Sequence, residues 1–191
     1  MLLIGITGGI GAGKSIVSRI LRLRGFCVYD CDSEAKRLMD SNKSLISRIG
    51  ERFGEQCLLP DGKLNRAEIA KKVFSSEKDL AWLNSEVHQL VCDDIRKWTD
   101  SEERIKFVES AILRTSGLDQ ICDQIWLVEA TEDVRVSRAL SRGGIDEYDL
   151  RGRINSQRSE FEALDSKKIR VINNDGCYSV LKQLNLLISE F

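Results

Sequence analysis

The segment from residue 8 to residue 15 constrains the fold of this chain more than any other feature. Its sequence, Gly-Gly-Ile-Gly-Ala-Gly-Lys-Ser, satisfies the pattern G-x-x-x-x-G-K-[ST]. Glycines allow consecutive backbone N–H groups to curl round a phosphate chain, and a helix that starts beside them adds the positive end of its dipole. The segment therefore predicts a phosphate-binding loop, or P-loop, between a strand and a helix.

The sequence on either side of this loop fits that prediction. Residues 2–6 form a short apolar run, which is typical of a buried parallel strand. Residues 15–24 carry apolar side chains at helical spacing, and Gly25 stands where helices commonly end. A second strand-like run, residues 26–29, leads into Asp30. Strand, helix and strand within about thirty residues predict a βαβ unit.

The remaining sequence alternates between helical and strand-like patterns. Residues 33–100 look mainly helical, two arginine-rich helices are split by Gly143 and Gly144, and a last helix is expected from about residue 178. This alternation predicts one α/β domain over residues 1–191, with the P-loop NTPase fold and a parallel sheet flanked by helices. The further strand-like runs are residues 105–108, 125–128 and 169–172.

Composition argues against several classes of protein. A formal net charge of −1 gives no electrostatic reason to expect a nucleic acid or an anionic membrane as partner. The apolar start is too short for a signal peptide, and no run approaches the roughly 20 residues of a membrane span. Six cysteines without a CxxC pair, beside one histidine, favour free thiols over a metal cluster. We expect a cytoplasmic monomer or weak homo-oligomer.

The residue types within the P-loop predict separate tasks. Lys14 is expected to reach the β- and γ-phosphates of ATP, and the Ser15 hydroxyl is expected to ligate Mg²⁺. The run Asn-Lys-Ser-Leu at 42–45 lacks the aspartate of the guanine motif N-K-x-D, which argues against a signalling GTPase. The residues expected to bind the nucleotide phosphates are Gly9, Gly11, Ala12, Gly13, Lys14, Ser15 and Ile16.

A pair of carboxylates follows the second predicted strand. Asp30 and Asp32 flank Cys31 at the carboxyl end of that strand, the edge at which open α/β sheets bind ligands. A carboxylate there can accept a hydrogen bond from an attacking hydroxyl and take its proton. A solvated acidic turn or a helix N-cap fits equally well, so position alone leaves both interpretations open.

Taken in order, these motifs resemble those of the dephospho-CoA kinase family. Residues 4–15 resemble its opening, residues 30–32 its D-x-D, and residues 61–66, Asp-Gly-Lys-Leu-Asn-Arg, its D-G-x-L-x-R. The resemblance runs from about residue 2 to residue 176. Further matches are Val73-Phe74, Leu83-Asn84, His88, Arg138, Arg142, Arg153-Ile154 with Gln157, and the run Val-Ile-Asn-Asn-Asp-Gly at 171–176.

The resemblance implies an activity and an organisation. The γ-phosphate of ATP would pass to the ribose 3′-hydroxyl of dephospho-CoA, giving CoA and ADP in the last step of coenzyme A biosynthesis. Residues 33–100 would form a helical acceptor-binding region, and residues 132–158 a two-helix lid. Both would be inserted into the single domain.

The resemblance also implies roles for individual residues. Asp32 would orient or deprotonate the 3′-hydroxyl, while Arg66 would hold the acceptor and His88 would lie near its pocket. Arg142 and Arg138 would meet the ATP phosphates from the lid, and Asn174 would lie by the adenine. The catalytic residues would be Lys14, Asp32 and Arg142.

Spacing places three arginines on one face of a predicted helix, and such a stripe is more often solvated than functional. These are Arg135, Arg138 and Arg142. Beside a P-loop and a glycine pair, we expect Arg142 to contact phosphates and Arg135 to remain at the surface.

One segment departs from the family pattern. Residues 111–115 stand where many members have P-L-L-F-E, so Arg114 replaces an apolar residue and Thr115 replaces a glutamate. Two other functions therefore stay open. The chain can be another small-molecule kinase, such as a nucleoside monophosphate kinase, or a nucleotide-binding protein with weak or no transferase activity.

Overall fold

The computed structural model describes residues 1–100, 103–144 and 146–191. Within them, five parallel strands form one sheet in the order second, third, first, fourth, fifth. The predicted α/β fold with a parallel sheet is confirmed. The strands are β1 (Leu2–Thr7), β2 (Cys27–Asp30), β3 (Ile105–Glu109), β4 (Gln124–Glu129) and β5 (Ile169–Asn173).

α-Helices connect the strands, as is usual for parallel pairing, except between β3 and β4, where the helical part of the link is a 3₁₀-helix. Three short 3₁₀-helices, at Glu55–Cys57, Leu118–Gln120 and Ser166–Lys168, join them in the described residues. The α-helices of the described residues are α1 (Lys14–Leu23), α2 (Cys31–Ser41), α3 (Lys43–Phe53), α4 (Arg66–Phe74), α5 (Glu77–Thr99), α6 (Glu132–Leu140), α7 (Glu147–Ser156), α8 (Arg158–Glu162) and α9 (Val180–Ile188).

Strand β1 lies at the centre of the sheet because its side chains are apolar on both faces. Ile4 and Ile6 are fully buried, and the strand pairs with β3 on one side and β4 on the other. Gly5 has a packing role here, since a Cβ at that position would overlap the Leu113 side chain. The strand order reverses at β1, so the loop that follows it lies at the crevice where such sheets bind ligands.

Aromatic side chains fill the core around the sheet. Phe107 on β3 packs edge-on against Phe26, with ring centroids 5.5 Å apart, and lies 5.1 Å from the ring of Trp126 on β4. Phe107 and Trp126 are fully buried. This core fixes the carboxyl ends of β1, β3 and β4, which carry the residues described below.

The chain divides into two compact units, residues 1–30 with 102–191, and residues 31–101. The second unit is helical, comprising α2 to α5, and has its own core around Leu45, Ile49 and Phe53. Phe53 packs edge-on against Trp82 at 5.4 Å, and the Arg52 guanidinium lies 4.7 Å from the Trp82 ring centroid. The predicted helical region, residues 33–100, falls within this unit.

The arginine-rich segment of the first unit forms two helices, as expected. Helices α6 and α7 share a small apolar core that includes Val136 and Leu150. Gly143 and Gly144 turn the chain between them at positive φ. Residue 145, within the predicted lid, lies outside the described residues. Among the described helices, none is long and apolar enough to cross a bilayer.

Candidate nucleotide and acceptor sites

The P-loop connects β1 to the first turn of α1. Gly11 and Gly13 have φ values of 77° and 102°, a left-handed conformation that glycine adopts without strain. Gly13 is the N-cap of α1, so the amides of the first helical turn face the loop. The Lys14 ammonium donates a hydrogen bond to the Gly8 carbonyl at 2.7 Å. The loop therefore has the curvature that phosphate binding needs.

Three side chains from outside the loop bond to its backbone, and we call them the P-loop clamp. Arg135 Nε donates to the Ile10 carbonyl at 2.9 Å, and Gln157 Oε1 accepts from the Ile10 N–H at 2.9 Å. Asn174 Nδ2 donates to the Ala12 carbonyl at 2.8 Å. Because both polar groups of Ile10 are bonded, the tip of the loop is held from two sides.

The glycines of the loop are also required by the clamp. A Cβ at Gly9 would overlap the Arg135 guanidinium, and a Cβ at Gly11 would overlap the Arg135 backbone carbonyl. A Cβ at Gly13 would overlap the Asn174 amide. The loop thus lacks side chains at three positions where neighbouring segments pack directly on it.

These contacts correct two expectations about the arginines. The prediction that Arg135 lies at the surface is wrong, because its guanidinium packs on the P-loop and burial lowers its pKa.

The prediction that Arg142 shares a helix face with Arg135 and Arg138 is also wrong. Helix α6 ends at Leu140, before the glycine pair, and Arg142 lies beyond it as an exposed residue. Arg138 remains on α6, and its Nη1 is buried without a hydrogen-bond partner in the described structure.

A cavity of about 350 Å³ adjoins the P-loop at the carboxyl ends of β4 and β5. Gly9 and Ala12 of the loop form part of its wall. Asn174 is buried under the loop, while its neighbours Asn173 and Asp175 line the cavity. The remaining lining side chains include Thr131, Arg135 and Phe161.

Glu109 ends β3 beside the P-loop strand, in register with Ile6 on one side and Asp30 on the other. Burial raises the pKa of the Glu109 carboxyl, and the nearby Asp30 carboxylate acts in the same direction, while the Lys14 ammonium opposes them. In the sequence, Glu109 directly follows the strand-like run at residues 105–108, and this position makes it a candidate for a carboxylate near the acceptor site.

The second unit contains the predicted acceptor residues. Asp32 lies in the first turn of α2, the helix that begins directly after β2. Arg66 begins α4, where its guanidinium pairs with Asp40 at 2.9 Å and reaches the Lys36 carbonyl at 3.3 Å. His88 is partly buried on α5, and burial lowers its pKa, so its imidazole is mainly neutral near pH 7.

An apolar groove of about 170 Å³ lies beside Arg66 in this unit. Its wall is almost entirely hydrocarbon, with the Arg66 side chain at its polar edge. Such a groove suits an elongated ligand with an apolar body and an anionic group. Its other lining residues are Met39, Ile69, Ala70, Val73, Phe74 and Leu83.

The unusual Arg114-Thr115 segment is fixed by a carboxylate from α8. Glu160, only 6% exposed, accepts hydrogen bonds from the Arg114 N–H at 2.5 Å and from the Thr115 hydroxyl at 2.5 Å. The Thr115 N–H lies 3.2 Å from both of its oxygens. A buried carboxylate needs several donors to offset its lost hydration, and this segment supplies them. Thr115 therefore has a defined structural partner.

We expect Glu160→Ala to lower the free energy of unfolding by about 2–4 kcal/mol, because three donor groups lose a charged acceptor. Glu162→Ala, at an exposed position on the same helix, is the matched control and should change it by less than about 0.5 kcal/mol. Urea titration measures both. Equal effects of the two substitutions would show that the Glu160 hydrogen bonds contribute nothing to stability.

Known proteins share this sequence and architecture. The family model described as "Dephospho-CoA kinase" matches residues 2–179. A dephospho-CoA kinase from Corynebacterium efficiens is 35% identical over 194 aligned positions, which cover 100% of this chain and 97% of that protein. A solved structure from Thermus thermophilus has a TM-score of 0.81 at 29% identity, covering 100% of this chain and 97% of that one.

A second solved structure shares the fold at lower identity. It is the dephospho-CoA kinase from Campylobacter jejuni, which has a TM-score of 0.73 at 22% identity and covers 98% of this chain and 96% of that one. With the family model matched over nearly the whole length, the prediction made from the sequence is confirmed: the chain belongs to the dephospho-CoA kinase family.

Proposed function

We propose that this protein transfers the γ-phosphate of ATP to the ribose 3′-hydroxyl of dephospho-CoA, releasing CoA and ADP. The observation that carries the proposal is a P-loop held in its curved form by the P-loop clamp, in a chain that matches the family over residues 2–179. A phosphotransferase acting on an alcohol is the reaction class that this arrangement suits.

In this proposal the first unit binds Mg-ATP. The P-loop backbone N–H groups and the α1 N-terminus hold the phosphate chain, and Lys14 moves from the Gly8 carbonyl to the β- and γ-phosphates. Arg138, with a buried and unpartnered Nη1 in the described structure, supplies a donor to phosphate oxygens. Arg142, exposed beside the glycine turn, reaches them when the lid closes.

The oxygen donors near the P-loop suit Mg²⁺, which prefers hydroxyl, carboxylate and phosphate oxygens. The Ser15 hydroxyl is exposed in the first turn of α1, and the Glu109 carboxylate ends the neighbouring strand β3. We propose that Ser15 ligates the ion and that Glu109 holds its hydration shell. A bound Mg²⁺ would neutralise charge on the β- and γ-phosphates.

In the second unit we propose an acceptor site. Arg66 would exchange its exposed pairing with Asp40 for an anionic group of dephospho-CoA, because a surface ion pair of this kind is weak. The apolar groove beside Arg66 would take the hydrocarbon part of the same molecule, with His88 nearby as a neutral hydrogen-bonding group. Asp32 would accept the proton of the 3′-hydroxyl.

Catalysis would then rest on position and charge. The transition state of phosphoryl transfer is loose, so Asp32 needs only to orient the hydroxyl and receive its proton as the bond forms. Lys14 and Arg142 would neutralise the charge that spreads over the transferred group. Closure of the lid, residues 132–158, would exclude water, which competes with the acceptor.

We also infer a cytoplasmic enzyme that acts on a small molecule as a monomer or weak homo-oligomer. The near-neutral net charge of −1 gives no electrostatic reason to propose a nucleic-acid or membrane partner.

The direct test of the proposed function is ADP release from Mg-ATP with and without dephospho-CoA. We expect release that depends on dephospho-CoA, with CoA as the product. Asp32→Asn should lower kcat by at least about 10²-fold, as expected for loss of an acid–base group. Glu51→Gln, an exposed position of the same unit, is the matched control and should have no effect.

Two outcomes would contradict the proposal. Transfer to a nucleoside monophosphate in place of dephospho-CoA would identify another small-molecule kinase. Binding of ATP without transfer to any acceptor would identify a nucleotide-binding protein, and Arg114 and Thr115 would then be the first positions to restore to phenylalanine and glutamate.

The proposed role of Glu109 gives a second test. Glu109→Gln should lower kcat by about 10²-fold or more and raise the Mg²⁺ concentration for half-maximal activity, because a neutral amide is a poorer partner for hydrated Mg²⁺. It should leave thermal stability unchanged or raise it, since burial disfavours the charged carboxylate. An unchanged Mg²⁺ dependence would exclude Glu109 from the metal site.

A further inference from the structure

We propose that the Ser18 hydroxyl is a positioning group for the Glu109 carboxylate, which it holds in the orientation that hydrated Mg²⁺ requires. The inference rests on the role of Glu109 proposed above and assigns that carboxylate a partner on α1. Ser18 acts through Glu109 and touches neither the ion nor the nucleotide.

The first observation is that Ser18 is buried without a partner. The residue is fully buried, and its Oγ makes no hydrogen bond within the described residues. A serine inside a helix commonly donates to the carbonyl one turn before it, and Ser18 does not. Because an unbonded hydroxyl in the core costs free energy, such a group points to a functional acceptor close by.

The second observation is the alternation of side chains along β3. Phe107 faces α1, because it packs in one core cluster with Val17 and Leu21 of that helix. Residues two apart on a strand share a face, so Glu109 faces α1 as well, nearer the carboxyl end of the sheet. Ser18 directly follows Val17 and is buried on the same helix. The fold therefore brings the hydroxyl of Ser18 and the carboxyl of Glu109 to one side of the sheet.

The electrostatic environment of Glu109 shows that Ser18 acts on it. Burial raises the pKa of the Glu109 carboxyl, and the Ser18 hydroxyl opposes this rise. Asp30, in register on β2, raises the same pKa further, while Lys14 and Arg22 lower it. A buried carboxylate with a second carboxylate beside it needs a neutral donor to stay charged and to keep its direction.

Ser18 also lies close to the proposed ligand of Mg²⁺ along α1. Ser15 precedes it by three residues, so the two side chains lie on the same side of the helix. Ser15 is exposed beside the loop, whereas Ser18 is buried. One helix would thus supply a ligand to the ion and a support for the carboxylate that holds its hydration shell. Removing such a supporting group commonly weakens metal affinity by about 10- to 100-fold.

The experiment compares ATP binding with and without Mg²⁺. We would measure by calorimetry the Kd of Mg-ATP and of metal-free ATP for the unsubstituted protein, for Ser18→Ala, for Glu109→Gln and for the double variant. The ratio of the two constants isolates the contribution of the ion, independently of phosphate transfer. Thermal unfolding without ligands shows whether each variant is folded.

The proposal predicts that Ser18→Ala weakens Mg-ATP binding by about tenfold, while metal-free ATP binding changes less than about twofold. The unfolding temperature should not fall, because the hydroxyl makes no bond that alanine would lose. Ser18→Cys, which keeps the shape but offers only a weak donor, should behave like Ser18→Ala. Ser44→Ala, at an exposed position on α3, is the matched control and should leave both constants unchanged.

The double variant shows through which group Ser18 acts. In the Glu109→Gln background, Ser18→Ala should weaken Mg-ATP binding no further, because the carboxylate that it positions is already absent.

Three outcomes would overturn the inference and leave the proposed function in place. The first is an unchanged Kd of Mg-ATP in folded Ser18→Ala. The second is equal weakening of ATP with and without Mg²⁺, or a lower unfolding temperature, which would assign Ser18 to the packing of α1. The third is a further loss of Mg-ATP affinity in the Glu109→Gln background, which would show that Ser18 acts independently of Glu109.

Failure of the roles proposed above is seen separately. If Glu109→Gln alone leaves the Kd of Mg-ATP unchanged, the role of Glu109 is wrong and the inference about Ser18 is overturned with it. If the unsubstituted protein does not bind Mg-ATP, the proposed function itself is contradicted before any variant is compared.

Discussion

The hydrogen bonds that hold Ile10 are the constraint on which the rest of the site depends. A P-loop must expose its N–H groups to phosphate, so it cannot satisfy its backbone in a regular helix or strand. Arg135 and Gln157 bond the carbonyl and the N–H of Ile10, and Asn174 bonds the Ala12 carbonyl. The loop is therefore ordered by its neighbours, and a nucleotide need not supply the free energy of ordering it.

These three contacts join the loop to segments that are distant from it in the sequence. Arg135 comes from α6 after β4, Gln157 follows α7, and Asn174 follows β5. Each lies more than a hundred residues from the loop in sequence, and the parallel sheet brings them to it. Glu160, on the short helix after Gln157, bonds the segment that follows β3. Helices α7 and α8 are thus joined to two loops at the same edge of the sheet.

The fold was predictable because its signals are local. The apolar run of β1, the glycine-rich loop and the helical spacing of α1 occur in one stretch, and Gly25 ends that helix as expected.

The site was predictable only in part. Arg135 looked like a solvated residue because helical spacing does not show what packs against a face. Glu160 carried no signal either, since its partners lie 45 and 46 residues away.

The central claim is that the P-loop clamp preforms the phosphate site, and it is tested most directly with a phosphate probe that has no base. We would measure the Kd of magnesium tripolyphosphate for Gln157→Leu, which removes the acceptor of the Ile10 N–H, with exposed Gln120→Leu as control. The account predicts binding weakened about tenfold, the equivalent of one hydrogen bond of about 1.4 kcal/mol. An unchanged Kd in a folded Gln157→Leu protein would contradict it.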